Sequence, residues 1–126
     1  DKRDVRGVTV QTVPAYNTSK FREPGRVFHP KEEGSVGYII TFGGIRIYHA
    51  GDTDSIPEMR GLEVDVALLP VSGTYVMTAE EAAQASAQIK PKIAIPMHYG
   101  TTVGDERDAE KFKKMASCEV KILKKE

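Results

Sequence analysis

Alternating apolar and polar positions predict strands in the first half of the chain. The alternation that starts at Val8 stops at Pro14, where proline removes a backbone donor. Two β-rich runs, 37–42 and 45–48, follow and are separated by Gly43-Gly44. Paired glycines supply the positive φ angles of a two-residue turn, so these runs predict a β-hairpin.

The segment between the first strand and this hairpin, residues 15–35, shows little periodicity and is interrupted by proline and glycine. Long irregular loops inside compact domains usually carry function. We therefore predict an active-site loop over this segment. Its basic residues suit either contact with an anionic substrate or an ordinary solvated surface, and they are Lys20, Arg22 and Arg26.

The second half of the chain alternates predicted strands and helices. Apolar runs at 64–70 and 93–97 predict buried strands, and the first is expected to be covered on both faces. Thr78 and Glu81 match a capping box, which predicts a helix over 79–89. A last strand is predicted over 120–123, before a charged tail. An amphipathic helix is predicted over 105–116, with one apolar side made of Ala109, Phe112, Met115 and Ala116.

This order of elements predicts an α/β fold, or the related α+β four-layer arrangement, with a mixed β-sheet and helices on one face. A chain of 126 residues with 40% hydrophobic content can bury one core, so we expect a single domain over 1–126. Because the sequence begins at Asp1 without an initiator methionine, we expect a piece of a longer protein.

Charge and cysteine content narrow the classes of function. Lys plus Arg and Asp plus Glu number 18 each, so no net field favours nucleic acid. No apolar run has the length of a membrane span, and we expect no membrane partner. The single cysteine, Cys118, has no internal partner, which favours a reducing cytoplasmic setting. A phosphate-binding glycine loop, paired zinc-type cysteines and a Gly-x-Ser-x-Gly motif are absent from the sequence.

Two ligand-type side chains directly follow predicted strands. Asp52 comes after Ala50-Gly51, and His98 comes after Met97. A carboxylate and an imidazole delivered by strand ends can hold a divalent cation, which lowers the pKa of a bound water. The alternative for Asp52 is an ordinary turn or helix-capping residue, and spacing alone leaves both interpretations open.

Four ordered segments resemble metallo-β-lactamase-fold hydrolases, in particular the branch that includes the L-ascorbate-6-phosphate lactonases. They are YHAGDT at 48–53, DVALLPV at 65–71, MTAEEA at 77–82 and IPMHYG at 95–100. The resemblance runs from about Val8 onward and implies the C-terminal half of an αββα sandwich. It also implies that Asp52 bridges two metals and that His98 binds one of them, which makes both residues catalytic.

The sequence departs from that family in two ways. The His-x-His-x-Asp-His motif that supplies most ligands is absent, so this chain alone is expected to bind metal weakly and to be inactive. Many relatives also have a ligand histidine where this chain has Asn17. Either Asn17 takes its place, or His29 does so from the long loop; an exposed loop position is the alternative for His29.

Other polar residues are expected to support this site or to contact substrate. We predict a packing or supporting role for His49, with its ring hydrogen-bonded to backbone or carboxylate. Thr53 and Asp54 are expected to brace Asp52. The pocket is expected to be lined by Tyr99 and by the segment Ser72, Gly73, Thr74 and Tyr75. An ordinary connecting loop is an equally good interpretation of the segment that begins at Ser72.

The resemblance implies a metal-dependent hydrolase in which metal-bound hydroxide attacks an ester, lactone, amide or phosphoester of a small-molecule substrate. The implied metal is divalent, with zinc expected and manganese or iron as alternatives. A sheet face left bare by a missing half should be apolar and should favour a homodimer or a complex with the N-terminal half. The competing hypothesis is a non-catalytic α/β interaction domain that dimerises through that face.

Overall fold

The computed structural model describes residues 1–124, which form a seven-stranded mixed sheet, a small separate hairpin and two helices. The strands are β1 (Lys2–Val5), β2 (Val8–Pro14), β3 (Phe21–Glu23), β4 (Arg26–Val27), β5 (Val36–Phe42), β6 (Ile45–His49), β7 (Val66–Pro70), β8 (Ile93–Met97) and β9 (Glu119–Val120). The helices are α1 (Ala79–Ile89) and α2 (Glu106–Met115), and short 3-10 turns cover Lys31–Glu33 and Pro57–Met59.

The main sheet has the order β1-β2-β5-β6-β7-β8-β9. Its pairs are antiparallel from β1 to β6 and parallel from β6 to β9. The predicted hairpin of β5 and β6 is confirmed, and its turn residues Gly43 and Gly44 have φ angles of 57° and 80°. The predicted α/β class with a mixed sheet is therefore confirmed.

Both helices pack on the side of the sheet where Ala67, Leu69 and Ala94 are fully buried. The predicted capping box of α1 is present, because Thr78 accepts from the Glu81 N–H and Glu81 accepts from the Thr78 N–H. Alanines on α1 allow a close approach to β7. Within residues 1–124, neither helix has the length and apolar character needed to cross a membrane.

Three sequence expectations about elements are corrected, and one strand was missed. The strand β1 was not predicted, because its charged residues hide any alternation. The loop 15–35 is not wholly irregular, since it contains the β3–β4 hairpin and a 3-10 turn. The last strand is Glu119–Val120 and not 120–123, because only these two residues pair with β8. Met115 is half exposed and does not join the apolar side of α2. The charged tail includes residues 125 and 126, which lie outside the described part of the chain.

The face of the sheet opposite the helices is apolar and open. The expectation that β7 is covered on both faces is wrong, because Val66 and Leu68 on this second face are only half buried. Pairing in register places apolar residues from five neighbouring strands on the same face. We call this the open face, and it consists of Val10, Tyr38, Ile40, Phe42, Ile45, Ile47, Val66, Leu68, Ile93 and Ile95.

The long loop is fixed to the rest of the domain at both of its ends. The hydroxyl of Tyr16 donates to Glu58 Oε1 at 2.8 Å, and Lys31 Nζ lies 3.3 Å from Glu58 Oε2. Partial burial alone would raise the pKa of Glu58, but the hydrogen bond from Tyr16 and the charge of Lys31 outweigh burial and lower that pKa. The loop therefore leaves and rejoins the sheet at defined points.

We predict that Gly37→Ala destabilises the fold next to the turn that carries Asp52. A Cβ at Gly37 would lie 2.5 Å from both the Ala50 and the His49 carbonyl oxygens, so the backbone of β6 would have to shift. Overpacking of this kind costs about 1–3 kcal/mol of unfolding free energy, which urea denaturation measures. Thr41→Ala on the same strand is the control and should cost less. Equal stabilities of the Gly37→Ala variant and the parent would contradict this close approach.

Candidate metal centre

The candidate site lies at one edge of the main sheet, where the carboxyl ends of β6, β7 and β8 meet because these strands are parallel. Asp52 lies on the turn after β6, Ser72 follows β7, and His98 comes directly after β8. Ligands bind preferentially at the carboxyl ends of strands in open α/β sheets. The expectation that the strand ends bring Asp52 and His98 to a common point agrees with this geometry.

The carboxylate of Asp52 faces the imidazole of His98. Asp52 Oδ1 lies 3.4 Å from His98 Nε2. Two ligands that are each about 2.1 Å from one tetrahedral zinc ion also lie about 3.4 Å apart. The two side chains are 49% and 28% exposed, so a cation from solvent can reach the space between them.

A second imidazole, that of His29, approaches the same carboxylate from the long loop. His29 Nε2 lies 3.8 Å from Asp52 Oδ2, so the two histidines face different oxygens of Asp52. A carboxylate can bridge two ions through its two oxygens, and this arrangement is compatible with such bridging. Within residues 1–124, no three His, Cys, Asp or Glu side chains form a group that could hold a metal ion by themselves. This part of the chain therefore offers a partial set of ligands.

Asn17 lies behind His29 and not beside Asp52. The Asn17 amide oxygen accepts from the His29 backbone N–H at 2.8 Å and lies 3.0 Å from His29 Nδ1, while Nδ2 donates to the Tyr75 carbonyl. Asn17 is 4% exposed. When His29 Nδ1 carries the proton that donates to Asn17, its Nε2 lone pair points towards Asp52. The structure therefore places His29, and not Asn17, next to Asp52, with Asn17 holding the His29 ring and backbone from behind.

His98 is held in a similar way. Its Nδ1 lies 3.2 Å from Ser72 Oγ, so the second ring nitrogen again has a partner on a neighbouring segment. The backbone of His98 has a φ of 62°, a conformation that costs a non-glycine residue energy and that is common at functional sites. Gly104 lies so close to Ser72 that a Cβ at Gly104 would be 2.7 Å from Ser72 Cβ.

Thr53 and Asp54 are fully buried. They were expected to brace the Asp52 side chain, but their hydrogen bonds reach the start of the long loop instead. Thr53 Oγ1 accepts from the Tyr16 N–H at 3.1 Å and lies 3.0 Å from the Tyr16 carbonyl oxygen. The Asp54 backbone N–H donates to that same carbonyl at 2.8 Å. These residues therefore fix the start of the long loop against the turn that carries Asp52.

The Asp54 carboxylate is surrounded by donors. Its Oδ2 accepts from the N–H groups of Thr18 at 2.7 Å and Ser19 at 3.0 Å, and Lys20 Nζ lies 3.1 Å from Oδ1. Burial alone would raise the pKa of Asp54, but these donors outweigh burial and hold that pKa below its ordinary value. Lys20 also binds Glu81, so its ammonium is not free to meet an anionic substrate.

His49 lies on the open face and is exposed, so the predicted packing role is wrong. The predicted hydrogen bond to backbone is present, because His49 Nδ1 accepts from the Gly51 N–H at 3.3 Å. Alternation along β6 explains the position, since the neighbouring Tyr48 points to the helix side and is fully buried. His49 therefore belongs to the same turn as Asp52 but faces away from the core.

Tyr99 lies beside His98 at an open cleft of about 280 Å³, whose other lining residues are Thr101, Thr102 and Val103. Burial, together with the carboxylates of Glu106 and Glu110, raises the pKa of the Tyr99 hydroxyl. Tyr99 therefore stays protonated and can donate a hydrogen bond at neutral pH. Its predicted contact with substrate stays a prediction.

One aromatic contact near the site was not predicted from the sequence. The rings of Phe28 and Tyr75 pack edge to face with their centroids 4.6 Å apart. Tyr75, at a φ of 65°, also receives the hydrogen bond from Asn17. The only sequence signal for Phe28 was its position next to His29.

Known proteins share this fold and much of this sequence. A family profile described as Beta-lactamase superfamily domain matches residues 1–98. A UPF0173 metal-dependent hydrolase of Methanopyrus kandleri is 38% identical over 115 residues, which is 88% of this chain and 49% of that protein. Another from Thermococcus onnurineus is 38% identical over 128 residues, covering 96% and 54%.

A solved structure is also similar to this chain in both fold and sequence. The crystal structure of a Parabacteroides distasonis protein, provisionally named a metal-dependent hydrolase, matches with a TM-score of 0.79 and 40% identity over 97% of this chain and 54% of that one. The fold is that of the metallo-β-lactamase class. The chain belongs to the β-lactamase superfamily, and its Methanopyrus and Thermococcus relatives are named UPF0173 metal-dependent hydrolases. It spans about half the length of these relatives.

We predict that Asn17→Leu changes the tautomer of His29. In the neutral ring of the parent, the His29 proton should reside on Nδ1 against Asn17 Oδ1, and loss of this acceptor should move the proton towards Nε2. Nitrogen-15 NMR of the imidazole rings measures the shift. His49, which has no contact with Asn17, is the internal control. A parent His29 already protonated on Nε2 would contradict the assignment.

Proposed function

We propose that this chain is the C-terminal half of a metal-dependent hydrolase, with Asp52 and His98 as catalytic metal ligands and His29 as a further ligand. The supporting observation is the position of the Asp52 carboxylate, which has an imidazole Nε2 facing each of its oxygens. Relatives named metal-dependent hydrolases support the reaction class.

The donors fit a divalent transition metal. Imidazole nitrogen and carboxylate oxygen suit zinc, and they also suit iron or manganese. We propose zinc, with the missing ligands supplied by the half that this chain lacks relative to its relatives. A metal held there would lower the pKa of a bound water and polarise the oxygen of an ester, lactone, amide or phosphoester.

The residues of this chain have distinct tasks in the proposed site. Asn17 and Ser72 orient the two imidazoles by occupying their Nδ1 atoms, and a fixed ring keeps Nε2 directed at the Asp52 side. The cleft beside His98 suits a small-molecule substrate, where Tyr99 can donate a hydrogen bond. We propose a cytoplasmic location, because Cys118 has no internal partner for a disulfide.

Asp52→Ala and His98→Ala test this proposal in the protein expressed with any segment that precedes Asp1. Each variant loses a ligand, so bound metal should fall, and turnover of ester and phosphodiester substrates should drop by more than about 100-fold. Metal content is measured by mass spectrometry and turnover by product release. Lys113→Ala, at an exposed position on α2, is the control and should keep both. Unchanged metal content and rate in both ligand variants would exclude the site.

The open face supports a second proposal about assembly. Its apolar side chains include Phe42, which is 67% exposed, and Ile45, which is 53% exposed. Contiguous exposed apolar surface marks an interaction site. We propose that the other half of the hydrolase covers this face, because the relatives are about twice as long as this chain. When this chain is produced without that half, we expect it to form a homodimer through the same face. This expectation holds whether or not the chain is catalytic.

Sedimentation of residues 1–126 alone tests the assembly. We expect a dimer or a larger species at micromolar concentration, and the double variant Phe42→Lys with Ile45→Lys should be monomeric because it places two charges on the open face. The control is Met115→Lys, which replaces an exposed apolar residue on α2, outside the open face. A stable monomer of the unmodified chain would contradict the proposal.

A further inference from the structure

Lys20 lies at the centre of a largely buried polar cluster next to the candidate metal centre. Its Nζ is 3.1 Å from Asp54 Oδ1, and it is 2.7 and 3.0 Å from the two carboxylate oxygens of Glu81. The side chains of Lys20 and Asp54 are 16% and 1% exposed, so salt and water screen this pair weakly. By contrast, the Lys31 side chain that pairs with Glu58 is 60% exposed.

The first partner connects the two loops that carry candidate ligands. Asp54 belongs to the turn that carries Asp52, and its carboxylate also holds the start of the long loop through backbone N–H groups. The Lys20 carbonyl accepts from the Phe28 N–H at 3.0 Å, one residue before His29. Lys20 therefore joins the turn that carries Asp52 to the part of the long loop that carries His29.

The second partner connects the cluster to the segment that supports His98. Glu81 accepts from the Thr78 N–H in the capping box of α1. The loop before that box begins at Ser72, which holds His98 Nδ1. The Met77 N–H within this loop donates to the Thr53 carbonyl at 3.2 Å. The Lys20 ammonium therefore binds the Asp52 turn through Asp54 and the start of α1 through Glu81, while the Lys20 backbone holds the segment before His29.

We propose that Lys20 is a positioning residue, whose ammonium fixes His29 and Asp52 relative to each other without touching metal or substrate. This inference rests on the proposed metal site. Without the ammonium, the carboxylates of Asp54 and Glu81 face each other with no cation between them, and their repulsion displaces the loop from the turn. The Asp52–His29 separation then no longer suits a shared cation.

The test compares Lys20→Met, Lys20→Arg and Lys92→Met in the protein that retains any segment before Asp1. Lys92 pairs with Asp65 away from the long loop and is 82% exposed, so Lys92→Met is the control. Lys20→Met should lower zinc affinity by about 10–100-fold in calorimetric titration, the usual effect of losing a support behind a ligand. It should also speed hydrogen exchange of the Asn17 and His29 amides by about tenfold or more, while the Ile39 amide in the sheet stays unchanged. Lys20→Arg should restore most of both properties, and Lys92→Met should keep them.

The two readouts separate the two proposals. A parent that binds no zinc overturns the proposed function, whereas parent-like exchange and zinc affinity in Lys20→Met overturn the role of Lys20. If Lys20→Met fails to fold, Lys20→Gln decides, because glutamine keeps a polar donor near Asp54 but removes the positive charge between the two carboxylates. Faster loop exchange in Lys20→Gln supports the inference, and parent-like exchange overturns it.

Discussion

Because β6, β7 and β8 run parallel, their carboxyl ends reach the same edge of the sheet, and every other feature of the site builds on this alignment. The alignment brings Asp52 and His98 within 3.4 Å although they are far apart in sequence. It also places Ser72, which follows the middle strand β7, against His98 Nδ1. The long loop adds one more imidazole, that of His29, beside Asp52 at this edge.

The two faces of the sheet differ in how they are covered. The helix face is closed, because small side chains on α1 let it approach β7 and bury that side completely. The opposite face remains apolar and open, and so the domain has an incomplete core as well as an incomplete ligand set. The open face and the partial ligand set are the two features that the covering half proposed above would complete.

The sequence predicts features that depend on neighbouring residues and misses those that depend on distant ones. The Gly43-Gly44 hairpin and the Thr78 capping box are local, and the structure confirms both. The choice between Asn17 and His29 could not be made, because it depends on how a loop folds back onto itself. The Lys20–Glu81 contact spans 61 positions and leaves no periodic signal. Thr53 and Asp54 were assigned to the correct region, but their partner is the loop and not Asp52.

The most direct test of the central claim is an anomalous-difference map from crystals of the full protein grown with zinc. The account predicts a peak about 2.0–2.2 Å from both Asp52 and His98 Nε2, with His29 Nε2 at a similar distance from that ion or from a second one. A map whose zinc peaks all lie away from Asp52, or a His98 ring turned out of the site, would contradict it.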